Sequence, residues 1–599
     1  VSIFSRSSDY QSPEGSRPWR WILVAVSALL LVLGGWLGIT ALSAKSSLEQ
    51  AKESAQQVKE ALLKGNSEEA AQRAETALAQ AKSAQSTTNS LPWKFAAAVP
   101  FLGSPFKAGQ QISDVVVGLS SDILKPAAES GIGLSPSKLY QNGRVDVQLL
   151  RQQEPVLVKL SADANRLNEQ AAAIPPAGFV PPINTARTQL QNQTAEVKSL
   201  LNNTALAAQI GPSMMGADGP RTYLMAFQTV SEARGTGGLL GGFGVLRFNN
   251  GKPTVDTLAP NTELFGTAAA IDLGPEFQDL YGTSRPFTDF RNSNQSPHFP
   301  YAAQIWKSMW ERQSGEKVDG VIALDQIALS YILSAVGPVK LADGEIVSAD
   351  NVVELTGSTS YIRFPDDQVA RKKYLQSIAT EVVTKMTGQV QSPGKLLEAL
   401  GRAAGERRIS VWSASPAEQK VLEETPLGHV LPDSDAPFAQ VIINNFGGNK
   451  MDYYLKRDIE YAADGCKGDM RNSTVTVRLS NTAPRDVGSL PEYVAGGMGL
   501  PQDLPIKVPR GSMVSSVRVL ATKGAELVNL TSNGTRVVPN RENVERGHPS
   551  FEIFVVIPPG ESGELVFQLS EPIVPGEADV PVQPLIDTPR PKVSVPACG

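Results

Sequence analysis

The chain has 599 residues, enough for several domains. Lys and Arg total 55 against 60 Asp and Glu, a formal net charge of −5, which argues against the basic surface of a general nucleic-acid binder. Two cysteines and three dispersed histidines, His298, His429 and His548, leave no recognised metal-ligand spacing, while 43 Pro and 51 Gly point to many turns.

The run WILVAVSALLLVLGGWLGITAL from Trp21 to Leu42 carries no charge. About 20 apolar residues cross a hydrocarbon core as a helix, whereas a cleaved signal has an apolar region of about 7–15 residues. Arg17 and Arg20 precede the run, so residues 1–20 are expected in the cytoplasm, 21–43 in the membrane and the rest outside. In that oxidising exterior the two cysteines, Cys466 and Cys598, most simply form one disulfide; the alternative is two free thiols.

Residues 44–88 read as a helical hairpin. Leu48, Ala51, Ala55, Val58 and Leu62 recur at steps of three and four, as do Ala71, Ala74, Leu78 and Ala81. Gly65 suits the end of the first helix, and Ser67 the N-cap of the second, followed by Glu68 and Glu69. LPWKFAAAVPFLGSPF is expected as a connector, with helices near 107–129, 147–173 and 182–208 and a Pro-built interruption at IPPAGFVPPI. Together 44–211 form a helical hairpin and a helical membrane-proximal domain, a stalk for the later domains.

From about 212 the pattern changes. RTYLMAFQ and FGVLRFNNGKPTVDTL read as strands, with a turn at Asn249-Asn250-Gly251. VDGVIALD reads as a short buried strand. YAAQIWKSMWERQ, DQIALSYILSAV and DQVARKKYLQSIATEVVTKM read as helices, giving an α/β domain over 212–435. After 436 the helix signal stops. AQVIINN, DYYLKRDIEY, STVTVRLSN, SSVRVLAT and FEIFVVI predict a β-sandwich over 436–571, followed by a Pro-rich, extended tail over 572–599. The expected fold is therefore multidomain α+β: a single transmembrane helix, a helical stalk, an α/β central domain and a C-terminal β-sandwich.

Three segments are candidates for chemistry. EARGTGGLLGGFG places five glycines from Gly235 to Gly242 behind Glu232 and Arg234. It reads either as an anion nest or as a bend between buried strands, and is neither a dinucleotide fingerprint nor a P-loop. TDFRNSNQSPHFP offers Asp289, Arg291, Asn292, Asn294 and His298 for sugar or phosphate contacts, or is simply a polar loop. SYIRFPDDQVARKKY brings Arg363, Asp366, Asp367, Arg371, Lys372 and Lys373 together within eleven residues. Arginine suits planar phosphate groups, and a charged helix start is the bland alternative. If the glycine loop faces the helix that begins near Asp367, then Arg234, Arg363 and Arg371 converge on an anion, with Asp367 orienting an arginine or a metal ion. No GxSxG elbow or ordered hydrolase triad is present.

YLMAFQTVSEARGTGGLLGGFGVLRFNNGK, HFPYAAQIW, VDGVIALDQIALSYILSAVGPV, NKMDYYLKRDIEY and LSNTAPRDVGSLPEYV, in that order, resemble the bacterial domain-of-unknown-function four-zero-one-two family over roughly 205–500. The resemblance implies an envelope protein of a Gram-positive, actinobacterial cell with one membrane anchor, and carries no activity. A second resemblance, to the LytR–CpsA–Psr phosphotransferases, rests on ALDQIALSYILSAVGPV and IRFPDDQVARKKYLQSIATEVV, with Arg363, Asp367 and Arg371 as matching positions. Lys372 and Lys373 stand where that family has an Arg-Gln pair, and its Ser-x-Pro-Arg-Asp segment is missing.

Two functions are compatible with these features, and the sequence leaves open whether the protein is an enzyme. One is a membrane-anchored extracytoplasmic module that binds cell-wall glycan or envelope protein partners. The other is a phosphotransferase acting on glycans linked to a polyprenyl-pyrophosphate lipid. No cofactor is called for, apart from a divalent metal under the second reading.

Overall fold

A computed structural model describes residues 18–599 except 65, 101–102, 131–135, 179, 389, 502–506 and 599. The chain divides into two compact units, Val1–Ser135 with Gln153–Ala205, and Pro136–Gln152 with Leu206–Gly599.

In the first unit, the backbone of Pro18–Lys64 is one continuous helix of 47 residues. The predicted membrane span falls largely on 18–36, whose side chains lie outside the described residues. Among the described residues no helix is long and apolar enough to cross a membrane. The second hairpin helix is Ser67–Thr88, and its cap differs from expectation. Asn66, not Ser67, is the N-cap, and its side chain accepts from the Glu69 amide at 3.2 Å. Gly65 lies outside the described residues. The alanine seam closes the hairpin: Ala51, Val58 and Ala61 are buried, as are Ala70, Ala74 and Ala81 on the second helix. Side chains this small let two helix backbones approach closely.

The expected connector is partly helical, over Leu91–Ala98. Proline is tolerated in a first helical turn, and Trp93 anchors this one. Its indole N–H donates to the Phe106 carbonyl at 2.9 Å, and its ring meets Phe106 edge-on. Ser104–Gly118 continues through a π-helical turn into Lys125–Glu129. The helices Val147–Ala172 and Pro181–Met214 then run on either side of the Pro-rich interruption. The chain turns back there, and Ser161 and Asn165 bind Asn202 across the pair.

The second unit holds a five-stranded sheet in the order Lys252–Pro260, Gly237–Asn249, Arg221–Arg234, Gly320–Asp325, Ile409–Ser413. The helices Phe299–Ser314, Gln326–Val336 and Gln368–Thr387 accompany it. Strands and helices alternate as expected for an α/β segment, yet only Arg221–Arg234 with Gly320–Asp325 pairs in parallel in this sheet. Loop length decides this for the two hairpin pairs, though not for Gly320–Asp325 with Ile409–Ser413, which are antiparallel across a long connection. A parallel pair needs a crossover of a dozen or more residues, and the turns at 235–236 and 250–251 are too short for one. Asn250 and Gly251 have φ of 48° and 79°, the left-handed pair that a tight hairpin requires.

The same unit contains two further sheets. One has the order Ala439–Asn445, Met513–Ala521, His548–Ile557, Arg541–Glu545. The other has six strands, with Met470–Asn481 between Leu455–Ala463 and Ser562–Pro572. Val441, Val517 and Val519 of the first and Ile459, Val477 and Phe567 of the second share one buried core, so the two sheets pack face to face. Strand alternation delivers this: Val475, Val477 and Leu479 are buried while Thr474, Thr476 and Arg478 are not.

The C-terminal segment is more ordered than an extended tail. Gln583, Leu585 and Asp587 are buried, and Lys592–Ser594 adds a parallel edge strand to Leu455–Ala463. Gln583 spans two elements, donating to the Arg234 and Ile443 carbonyls at 2.7 and 2.8 Å. Cys466 and Cys598 form the disulfide, with Cα atoms 5.7 Å apart.

Candidate functional site

The site is built from the end of the Arg221–Arg234 strand. Its pairing with Gly237–Asn249 shifts register between Phe227 and Gln228, and breaks again between Thr229 and Ala233. This irregularity re-aims side chains, as a bulge does. Ala233 enters the sandwich core, and Glu232 turns toward Lys450. The glycines serve close approach. A Cβ on Gly235 would lie 2.2 Å from the Gln295 carbonyl oxygen, and one on Gly238 would lie 2.3 Å from the Thr229 backbone. Of the two readings of EARGTGGLLGGFG, the structure takes the bend between buried strands.

Arg234 is 4% exposed and its donors are occupied within the fold. Nε donates to the Arg291 carbonyl at 2.8 Å, Nη1 to those of Ala233 and Asn445, and Nη2 to Glu232 at 3.0 Å. Glu232 bridges Arg234 and Lys450. Burial pushes the Glu232 carboxyl up, but Lys450 and Arg234 outweigh it and hold the group below the ordinary range. Burial works against the Lys450 ammonium too, and the Glu232 carboxylate reverses this and raises it. Two residues on, Asp452 accepts from the Ala233 amide at 2.7 Å and from Asn445 at 2.8 Å. Its other oxygen has no hydrogen-bond partner, and burial lifts the carboxyl to about 6.

Lys450 leads to the second half of the site. Its Nζ lies 5.3 Å from the centre of the Tyr361 ring and 5.0 Å from that of Tyr493. These rings stack nearly parallel, centroids 5.7 Å apart, and the Arg371 guanidinium sits 4.2 Å from the Tyr493 ring and 5.3 Å from Tyr361. Aromatic faces attract cations through their quadrupoles. Tyr361 is placed by a π-helical turn, Leu355–Thr359, whose Gly357 carbonyl accepts from Ser231 at 2.7 Å. Arg371 is 3% exposed, in the first turn of Gln368–Thr387, and Nη1 donates to the Phe364 carbonyl. Beside it Lys372 is half-buried and binds Asn261 Oδ1. Burial, Arg371 and Lys450 together depress its ammonium to about 8.

The candidate residues thus divide. Glu232, Arg234 and Arg371 join one network through Lys450 and the two tyrosines. Arg291 borders it with its backbone carbonyl, while its side chain pairs with Asp289 at 2.6 Å and lies 5.9 Å from the Phe265 ring centre. Arg363 turns elsewhere, forming a two-pronged pair with Glu345 at 2.9 Å and lying over the Tyr374 ring. Asp367 pairs with no arginine side chain among the described residues. It caps its helix, accepting from the Ala370 amide at 2.8 Å, as an acidic residue before a helix start is suited to do. No group of three or more His, Cys, Asp or Glu suited to a metal ion occurs among the described residues.

Four members of the network do not stand out in the sequence. Tyr361 and Tyr493 lie in segments quoted there for other residues. Lys450 and Asp452 lie in NKMDYY, which carries only the family resemblance; the alternation Lys-x-Asp in a turn is the available signal. The network carries four cations, Arg234, Arg371, Lys372 and Lys450, against the carboxylates of Glu232 and Asp452. Neither Arg371 nor Lys372 has a carboxylate within ion-pairing distance among the described residues. The cluster reaches solvent at Lys372 and Tyr493, both half-buried.

Fold and site together define a multidomain α+β protein with a cation-rich, aromatic-lined cluster where the tip of a β-hairpin meets a two-sheet sandwich. Residues 218–361 match the family model described as Protein of unknown function (DUF4012), so the chain carries a domain of that family. This covers Glu232, Arg234 and Tyr361 and is shorter than the stretch over which the resemblance was read; the resemblance to LytR–CpsA–Psr phosphotransferases gains nothing from it. None of the curated proteins compared matches the chain.

Proposed function

We propose that this is a membrane-anchored, extracytoplasmic envelope protein whose second unit binds an anionic group, a phosphate or pyrophosphate carried by a cell-wall glycan or its lipid carrier, without transferring it. The observation that carries this reading is the excess of positive charge at Arg371 and Lys372. Buried or half-buried cations without counter-ions cost free energy, and a bound anion would offset that cost. Strongly perturbed groups of this kind cluster at functional sites. The export of the chain rests on the uncharged run over 21–43 behind Arg17 and Arg20, and the disulfide supports an oxidising compartment.

Binding is favoured over phosphotransfer because the arginines that transfer would need are engaged elsewhere. Arg363 is held by Glu345, and Arg234 by carbonyl groups and Glu232.

The test is titration calorimetry of the full chain in detergent with inorganic phosphate and pyrophosphate. Losing a charged hydrogen bond costs about 1.5–3 kcal/mol, so Lys372→Met should weaken binding by roughly ten- to a hundredfold. No heat from the wild type with either anion, or equal affinity in Lys372→Met, rejects the reading.

A further inference from the structure

One end of the first unit exposes an apolar face on the short helix Leu91–Ala98. Leu91, Phe95 and the C-cap residue Val99 recur every four positions, so they lie along one side. They are 72%, 74% and 44% exposed. Trp93 and Ala97 on the other side are buried, and the bond from Trp93 to the Phe106 carbonyl holds the helix in this orientation. Single apolar residues on a surface need no explanation, but a contiguous row of them marks an interaction surface.

The register of the hairpin locates this face. Ser54 Oγ donates to Gln80 Oε1 at 2.9 Å, and Gln80 Nε2 donates to Gln50 Oε1 at 3.4 Å, so residue 80 of the second helix stands opposite residues 50–54 of the first. The two helices run antiparallel, Val58 and Ala61 packing with Ala70 and Ala74 at the turn. Each rises about 1.5 Å per residue, which sets Leu91 level with about residues 39–43. The helix Leu91–Ala98 accordingly touches Pro18–Lys64. That level is the end of the uncharged run over 21–42, where Leu42 is 69% exposed. The Pro-built interruption comes to the same end. A Cβ on Gly178 would lie 3.0 Å from Ser104 Oγ, two residues before Phe106, and Pro175 and Pro176 are exposed.

Charge is distributed to match. Residues 86–106 contain one charged side chain, the exposed Lys94, and residues 172–186 contain none. Beyond the run the first charges are Lys45 and Glu49, which pair on the first helix. An apolar helix face flanked by lysine suits the boundary between lipid headgroups and acyl chains. Lipid fits this face better than a second copy of the chain, because the exposed row continues the level at which the apolar run ends, and Lys94 stands where it can meet a lipid phosphate. We propose that Leu91–Ala98 lies in the outer interface of the bilayer, with Leu91, Phe95 and Val99 among the acyl chains and Lys94 on a lipid phosphate. A single spanning helix leaves the hairpin free to tilt, and this second contact fixes the angle at which it leaves the membrane. The inference rests on the reading of 21–43 as a membrane span and is independent of the anion site.

The experiment is spin labelling of the full chain in vesicles of phosphatidylcholine and phosphatidylglycerol. Labels are placed singly by Leu91→Cys, Phe95→Cys and Val99→Cys, all at exposed positions, so the melting temperature should not change. The native cysteines are paired and take no label. Leu30→Cys, inside the apolar run, is the lipid reference. Glu60→Cys is the water reference, at an exposed position about 27 Å from Leu42 along the helix. Oxygen concentrates in lipid and a nickel chelate in water, so relaxation by each reports where a label sits. The expected result is that labels at 91, 95 and 99 are relaxed by oxygen and shielded from nickel, like the label at 30 and unlike the label at 60. If the label at 30 lies in lipid while the other three are open to nickel, the inference is overturned and the anchor stands. If the label at 30 is itself open to nickel, the anchor reading fails and this inference fails with it. Labels shielded from both reagents and broadened by a neighbouring spin would show a second copy covering the face, which also overturns the inference.

Discussion

Replacing Cys466 and Cys598 by serine should destabilise the second unit and leave the first unchanged. The bridge closes a loop of 132 residues. The chain-entropy model assigns about 5 kcal/mol at 25 °C to a loop of that length. Other contacts still return the segment to the sandwich. Gln583 stays bound to two strands, Arg457 and Asp587 form a buried pair at 2.7 Å, and Lys592–Ser594 stays paired at the edge. Cys598 itself lies against Arg471, which donates to the Pro596 carbonyl at 3.0 Å and pairs with Glu571. Freeing the last residues lets water reach that buried pair. The expected loss is therefore about 2–5 kcal/mol, the range for removing a native disulfide. Hydrogen exchange read by mass spectrometry measures each unit separately. Slow amides in Met470–Asn481 and Met513–Ala521 should lose that much protection, while those in Ser67–Thr88 keep theirs. Unchanged protection in the two sandwich strands would refute the idea that loop closure stabilises them.

Glu232→Ala leaves Arg234 and Lys450 buried without their shared carboxylate; removing one partner of a buried pair costs about 3–5 kcal/mol, readable as a lower denaturation midpoint. Gly235→Ala drives a methyl group onto the Gln295 carbonyl, and overpacking of this kind should cost about 2–3 kcal/mol or more in the same assay. Asp452 has its folded pKa raised to about 6, above the unfolded value of about 3.9. Its proton is held more tightly in the folded state, so its contribution is fully present below about pH 4 and is lost as pH rises through 6. Asp452→Asn should flatten the fall of stability across that window; an unchanged pH profile would contradict the assignment.

Much of the architecture is legible in local patterns. The alanine seam of the hairpin, Asn250-Gly251 at a turn, and Val475, Val477 and Leu479 on one sheet face each follow from periodicity or a turn's need for positive φ. The cap at Asn66 is not separable from Ser67 by residue type, because the two stand side by side and both can cap. The mixed sheet is hidden because strand–helix alternation says nothing of strand order. The candidate site is only partly visible. Glu232, Arg234 and Arg371 stand out as charges in unusual contexts, but Lys450, Tyr361 and Tyr493 join them only through contacts between residues far apart in sequence. Arg363 and Asp367 look equivalent to Arg371 in sequence, yet each satisfies a local partner instead. No periodicity predicts that Gln583, in a Pro-rich stretch, binds the hairpin tip.

The most direct test of the anion site is the reactivity of the Lys372 amine. Its depressed pKa, about 8, leaves a large neutral, nucleophilic fraction at mildly alkaline pH, when ordinary lysines at about 10.4 are almost wholly protonated. Acylating the full chain across pH 6–10 and quantifying each lysine by mass spectrometry reads this out. The account predicts that Lys372 modification rises with a midpoint near 8, and that inorganic pyrophosphate moves the midpoint upward by pairing with the ammonium. A midpoint near the ordinary lysine value of about 10.4, or one that pyrophosphate leaves in place, would contradict it.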